Sequence, residues 1–504
     1  MPKTYQKLYI ATLAFGGLLT LTGILYDFSG ILSGLLTIIT SQDMLITDYV
    51  EIAGLGAALV NAGIVTMLSV ALLYFSKEPF NGMTIVTTML MAGFSLFGKN
   101  FVNIWPIIFG TWLYAKFKNE RFSKYVSVSL LATALAPLVS YMALGSTIAS
   151  IPVGILAGVI VGFVIPPISG YTYKIQNGIN LYNVGFACGL FALMIVPVLT
   201  AFGDNPPEAM YWNQSMNRQW IILLTSLCGI MLVWGLFLCG KSPKQVLSDY
   251  GKMMKKSGRS PSDFLRMFGL APVLVNMAVI GMIGMFYILL IDGDLNGPTI
   301  GGIMTIIGFG AFGKHPKNMV PVMIGVLLGA YGMHLDPNSP TLQLAGLFGT
   351  TLAPITGQFG VIAGIAVGFI HASLVQQTSG AVAGMNLYNN GFSGGLIAIV
   401  MYPLLTEIVK KRKIKLRDKD YFEVFEENTP IDPAWHRNPN DVLDVMEEEL
   451  KKLKKIKNGK QRLEKNNEKH KRYNDQNKKG SFMHYDELHP EDYTHGINET
   501  DKDD

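Results

Sequence analysis

Charge is scarce in this sequence. Charged residues fill 15% of its 504 positions, where a soluble domain carries about 25%. Leu55–Phe75 and Ile221–Leu238 contain none at all. Uncharged apolar runs of ~18 residues or more read as transmembrane helices, so a soluble globular chain is excluded. The net charge of +5 resides mainly in loops and in a hydrophilic tail, which argues against nucleic-acid binding.

Cysteine is nearly absent. The three present, Cys188, Cys228 and Cys239, all lie inside apolar runs and read as packing residues, not disulfide partners or metal ligands. There is no His-Glu-x-x-His and no His/Cys cluster, so no metal, no cofactor and no enzymatic activity are expected. Gly308-Phe-Gly310-Ala-Phe-Gly313 fits a nucleotide-binding glycine pattern, but it follows no strand. Carboxylates are almost missing from the predicted spans: Asp27 and Glu407 sit near span ends and Glu51 borders one. Sodium- or proton-coupled cation transporters place acids at mid-membrane. Their lack points to passive flux, or to a neutral or anionic solute.

What is there, above all, is a duplication. Gly54–Leu113 aligns without gaps on Gly269–Leu328, 215 positions later. The match pairs Phe97-Gly98-Lys99 with Phe312-Gly313-Lys314, Asn103 with Asn318, and Pro106 with Pro321. Further on, Thr133 and Leu135-Ala136-Pro137 pair with Thr350 and Leu352-Ala353-Pro354. Asn180-Leu-Tyr-Asn-Val-Gly-Phe then pairs with Asn386-Leu-Tyr-Asn-Asn-Gly-Phe. Chance likeness of apolar runs does not match Lys, Asn, Pro and Tyr at constant offset.

The loop Lys116–Lys124 is basic while its counterpart Tyr331–Pro340 has no Lys or Arg; the loop 203–214 is acidic and 410–415 is basic. Basic loops stay cytoplasmic, so the copies are expected to be inverted, with Gln219–Cys239 as the span that reverses the chain. The expected fold is an all-α polytopic membrane protein with an inverted-topology internal repeat. It has about ten transmembrane helices, near 8–28, 53–75, 126–144, 151–166, 184–202, 219–239, 269–291, 342–356, 359–374 and 386–409. Segments 83–115 and 298–330 carry arms too short to cross ~30 Å and read as two re-entrant hairpins. The organisation is then 1–50, a first span that is not cleaved and an extracytoplasmic segment; 51–202, repeat one; 203–268, a linker; 269–409, repeat two; and 410–504, a charged tail. The tail carries a short amphipathic helix over Val442–Lys457 and disorder beyond. Both termini are expected in the cytoplasm, the protein being multi-pass in the cytoplasmic (inner) membrane.

Broken helices in inverted repeats place solute sites at the repeat interface. Gly98 and Gly313 permit the hairpin turns, and Pro106 and Pro321 can start the outgoing half-helices. Lys99, Asn103, Lys314 and Asn318 would stand at the tips. Two readings of the lysines are open: they attract an anion or carbonyl, or they snorkel to an interface. Tyr182, Asn183, Tyr388 and Asn389 would line or brace the pathway, one Asn per copy acting as an ordinary cap. His315 and Lys317, without basic counterparts, are expected at the periphery. The expected partners are the bilayer and a small polar solute, with a homo-oligomer and a cytoplasmic partner of the tail as further candidates.

At the paired FGK…N…P and NLYN-x-GF blocks the sequence resembles a bacterial family of multi-span membrane proteins of unknown function, over roughly residues 10–410. Asn-Leu-Tyr-Asn-x-Gly-Phe before a Gly-Leu helix is also similar, in architecture, to an element of urea transporters. Their Leu-Pro…Thr-x-Pro-Phe signature survives only as Val196-Pro197-Val198-Leu199-Thr200. These resemblances imply a membrane location and, by the second, a channel or facilitator; a secondary transporter or a tail-bearing scaffold is the alternative.

Overall fold

The computed structural model describes residues 3–43, 46–204, 206 and 209–411, all within one compact unit. The tail helix expected over Val442–Lys457 lies outside the described residues. Helices in chain order are α1 (Lys3–Tyr26), α2 (Ile31–Ile39), α3 (Tyr49–Phe75), α4 (Gly82–Phe94), α5 (Trp105–Phe117), α6 (Val126–Ala132), α7 (Ala136–Leu144), α8 (Ile151–Gln176) and α9 (Asn183–Ala201). Then follow α10 (Asn217–Val233), α11 (Pro243–Met253), α12 (Phe264–Phe268), α13 (Leu270–Leu290), α14 (Gly297–Phe309), α15 (Pro316–Gly332), α16 (Pro340–Phe348), α17 (Ala353–Phe359), α18 (Val361–Ala381) and α19 (Asn389–Lys411).

Among the described residues, nine helices are long and apolar enough to cross a membrane. The tenth expected span, near 342–356, is three pieces: α16, a tight turn over Gly349–Leu352, and α17. Its counterpart breaks in the same way, α6 and α7 meeting at Thr133–Leu135. Pro137 and Pro354 stand near the start of each second piece. Neither can donate to the carbonyl four residues earlier, which favours a kink or break at these points.

The duplication reappears in the packing. α5 packs along α8 as α15 does along α18, and α9 meets α19. α1 packs on α3 as α10 packs on α13. Helix α10, expected as a lone reversing span, therefore occupies the place that α1 holds in the first half. Sequence identity could not reveal this, because two lipid-facing helices need share only apolarity.

At the centre, α4 packs against α14. The contact is closest at two matched glycines. A Cβ on Gly93 would lie 2.9 Å from the Met304 Cβ, and one on Gly308 would lie 2.9 Å from the Met89 Cβ. Each of these helices opens with an Asn-Thr capping box, Asn81 with Thr84 and Asn296 with Thr299, which satisfies the first free N–H groups. A carboxylate from the other half adds to each. Asp263 accepts from the Gly82 N–H at 3.0 Å, and Asp48 from the Gly297 N–H at 3.2 Å.

The backbone that leaves α4 and α14 is held by a second matched pair. Asn61 donates to the carbonyls of Ser95 (2.7 Å) and Lys99 (2.8 Å). Asn276 donates to those of Gly310 (2.8 Å) and Lys314 (2.7 Å). Both asparagines are fully buried. Without them two carbonyls per copy would lose their partners in a medium with no water, at about 1–3 kcal/mol each. Asn61→Leu and Asn276→Leu should each lower the unfolding free energy by about 2–4 kcal/mol, read from thermal or denaturant unfolding in detergent. A loss below about 1 kcal/mol in either variant would show that these bonds do not hold the turns.

Candidate functional site

Each turn after α4 and α14 begins on a glycine in the left-handed region, φ +81° at Gly98 and +99° at Gly313, where other residues are strained. Inside each turn an asparagine folds back on the backbone. Asn103 donates to the Gly98 carbonyl (3.2 Å) and accepts from the Asn100 N–H (2.9 Å). Asn318 donates to the Gly313 carbonyl (2.8 Å) and accepts from the His315 N–H (2.9 Å). These two asparagines shape the tips.

The outgoing helices differ from expectation. Pro106 stands in the first turn of α5, but Pro321 lies inside α15, which starts at Pro316. The His315–Asn318 capping box and Pro316 open that helix about a turn early. His315 is also not peripheral: it is fully buried, with Nε2 2.9 Å from the Lys256 carbonyl. Lys317 is exposed.

Lys99 and Lys314 are both fully buried, which removes the snorkelling reading. Each crosses to the other copy. Lys99 Nζ lies 3.3 Å from the Tyr388 hydroxyl and 3.6 Å from the Met91 sulfur. Lys314 Nζ bonds the Tyr182 hydroxyl and, at 2.7 Å, Thr350 Oγ1. Among the described residues neither amine forms an ion pair with a carboxylate. Aromatic faces take that place. Lys99 Nζ is 5.2 Å from the Phe94 ring centre and 5.1 Å from that of Tyr388; Lys314 Nζ is 4.4 Å from Tyr182 and 5.2 Å from Phe309. Such contacts gain value when desolvated. The rings form a continuous chain: Tyr388 to Phe94 at 4.2 Å, Phe94 to Phe348 at 5.6 Å, Phe348 to Tyr182 at 6.3 Å and Tyr182 to Phe309 at 5.0 Å.

The tyrosines are placed by a reciprocal exchange of backbone bonds. Leu181 N–H donates to the Thr351 carbonyl (3.2 Å) and Leu387 N–H to that of Ala134 (3.1 Å). Asn180 donates to the Gly391 carbonyl and Asn386 to that of Gly185, both at 3.2 Å. Asn183 and Asn389 serve their own copies. Asn183 bonds Ser169 (2.8 Å to its carbonyl) and Thr172 (2.8 Å) of α8, while Asn389 bonds the Ser379 hydroxyl (2.8 Å) of α18. Both brace the junction of two helices.

A cavity of about 380 Å³ ends on this ring chain. Its inner wall is built of counterparts from the two copies: Leu90 and Thr305, Phe94 and Phe309, Leu131 and Phe348, Tyr182 and Tyr388. Its outer wall comes almost wholly from the first copy, including Met83, Tyr125, Ser127, Val128, Asn183 and Val184. These six are half-buried, whereas their counterparts Pro298, Leu342, Leu344, Ala345, Asn389 and Asn390 are buried. The space between the copies is thus open along one half and closed along the other.

Sequence reasoning missed the carboxylates. Asp43 is fully buried against the turn that follows α4. It accepts from Tyr49 (2.7 Å), Ser140 (2.6 Å), Asn103 (3.1 Å) and Asn100 (3.3 Å). The matching position of the second copy is Gly258, and there Asn318 donates to the Ser257 carbonyl instead (3.3 Å). Asp43 therefore had no repeat signal. Asp48 and Asp263 did: they share the 215-residue offset, just ahead of the block used to recognise the duplication.

Helices throughout the described residues, nine candidate spans among them, broken helices and a buried polar centre define a multi-pass membrane protein. Its family is the one described as "Protein of unknown function (DUF1576)", to which the chain belongs through matches over residues 28–201 and 242–407. The two matches begin at the segments around α2 and α11 and end in α9 and α19, one in each half. No curated protein and no solved structure matches the chain, so the likeness to urea transporters gains no support.

Burial pushes Asp43 up to about 7, against the opposing hydrogen bonds of Ser140, Tyr49, Ser41 and Asn103. Its folded value thus lies above the unfolded one of about 3.9. The stability linked to this group is present at low pH and is lost as pH rises through about 7. Wild type should lose melting temperature relative to Asp43→Asn between pH 5 and 8. A difference that stays flat over that range would refute the assignment.

Proposed function

We propose that the protein moves a small solute, neutral or anionic, along a path between two inverted repeats. The observation that carries this is the cavity that ends on paired residues of both copies and opens along one half only. Inversion is supported by parity: α1, α3, the broken α6–α7 rod, α8 and α9 are five candidate spans in the first copy, and α10, α13, α18 and α19 make five in the second once the broken α16–α17 rod is counted as a crossing, an odd number in each. The 13-residue helices α4 and α14 reach ~20 Å, too short for the bilayer core, and fit re-entrant hairpins. The open rim carries Lys124 and Ser260, from the two basic loops, and so faces the cytoplasm by the positive-inside rule.

A path closed along one half favours alternating access over a permanently open channel. In inverted-repeat transporters the two halves exchange conformations about a fixed central site. Here the counterparts of the half-buried wall residues are the buried ones, the relation such an exchange requires.

Flux into proteoliposomes tests the reading, with urea, amides, small polyols, formate and nitrate followed by light scattering or swelling. Saturable flux, reduced at least ~10-fold in Lys99→Met/Lys314→Met, is expected if binding and passage both use the centre. A second measurement separates the two modes in a chain with its native cysteines replaced. Ser127→Cys should react with a water-soluble thiol reagent from the cytoplasmic side, while Leu344→Cys reacts from the opposite side only during transport. Simultaneous, solute-independent labelling of both would identify an open channel, and absence of flux for every solute of this panel and for radiolabelled benzoate would remove the transport reading.

A further inference from the structure

The chemistry of the cavity wall narrows the solute. About 380 Å³ is the volume of about a dozen water molecules and falls in the range of small-molecule sites. A bare nitrate or formate would leave most of it empty. The wall offers little to a polyol, because its asparagines are already engaged. Asn180 accepts from the Thr351 hydroxyl and the Tyr182 N–H and donates to Gly391. Asn183 is held by Ser169 and Thr172. What remains is mostly Leu90, Phe94, Leu131, Phe309 and Phe348, surfaces suited to an apolar body.

Behind the inner end, outside the residues that line the cavity, the character is the opposite. An ammonium carries three donors. Lys314 spends two, on Tyr182 and Thr350; Lys99 spends one on Tyr388 and one weakly on a sulfur. Each tyrosine hydroxyl accepts from a lysine; Tyr182 is also hydrogen-bonded to the Thr350 hydroxyl, whereas Tyr388 has no acceptor for its own proton among the described residues. Among the described residues no carboxylate pairs with either amine. Two protonated amines buried in this way are costly, and an entering negative group would offset that cost.

We propose that this site takes an amphipathic organic anion. Its carboxylate or sulfonate meets the Tyr182 and Tyr388 hydroxyls, with Lys314 and Lys99 behind them, and its apolar body packs on Phe94, Phe309 and Phe348. The substrate class rests on the transport reading above, but binding can be measured apart from flux.

The experiment is calorimetric titration of the purified full chain in detergent with benzoate, benzenesulfonate, benzamide and nitrate. Benzamide keeps the ring and shape of benzoate and loses the charge. Benzoate and benzenesulfonate should bind at least ~10-fold more tightly than benzamide or nitrate, the span expected of a charge-assisted hydrogen bond. Tyr388→Phe, which keeps the ring, should weaken benzoate ~10-fold, and Lys314→Met should remove the preference over benzamide. Variants count only if they elute and melt as folded protein. Equal affinity for benzoate and benzamide, or benzoate binding indifferent to both substitutions, would overturn the proposal. If urea or formate crosses proteoliposomes while no aromatic anion binds, the anion site falls and transport stands. If benzoate binds as expected while neither benzoate nor any solute of the panel crosses, the site stands and transport falls.

Discussion

A chain that interrupts its helices inside a bilayer must find a partner for every backbone group that the interruption frees, because no water is present to serve. This constraint organises the centre of the molecule. Asn61 and Asn276 hold the carbonyls that follow α4 and α14; Asn103 and Asn318 fold the tips; Asp48 and Asp263 meet the N–H groups that open the helices of the other half. The polar side chains in this apolar sequence are mostly backbone partners. Once they are placed, little freedom remains for the glycine turns, and the lysines that follow Gly98 and Gly313 can only point inward.

Reciprocity is the second consequence. The lysine of each copy meets the tyrosine of the other, and the leucine beside each tyrosine donates to the broken rod of the other. A duplicated chain that folded as two separate bodies would have no use for such exchange. Here the junction is the interior, and its rings, amines and hydroxyls are arranged about a common centre while the cavity above them is one-sided.

Much of this was legible in the sequence, for a physical reason. Residues tied to a backbone group or to a partner in the other copy cannot vary freely, so Lys99 and Asn103 stood out with counterparts 215 residues on, and Tyr182 with one 206 residues on. That Lys99 would meet Tyr388, and not a residue of its own copy, was not legible, since offset carries no information about which copy supplies the partner. The place of α10 was hidden because α1 and α10 present apolar surface in which many residues are interchangeable. Asp43 was hidden because the second half replaces its carboxylate with the Ser257 carbonyl, the same hydrogen-bonding service from a different chemical group. The role of Pro321 was misjudged because Pro316 and His315 supply a helix start that the first copy lacks.

The cross-capping of α4 by Asp263 has a consequence for biosynthesis. The two partners, Gly82 and Asp263, are 181 residues apart. At roughly 5–20 residues per second, a ribosome takes roughly 10–35 s to supply the second after the first. For that interval the first half sits at the membrane with a helix end that waits for Asp263, while its lysine and broken rod wait longer still, for Tyr388 and Leu387. The nascent half must be sheltered by lipid headgroups, by the insertion machinery or by a looser packing of its own, and it reaches its final form only when the last helix brings Tyr388.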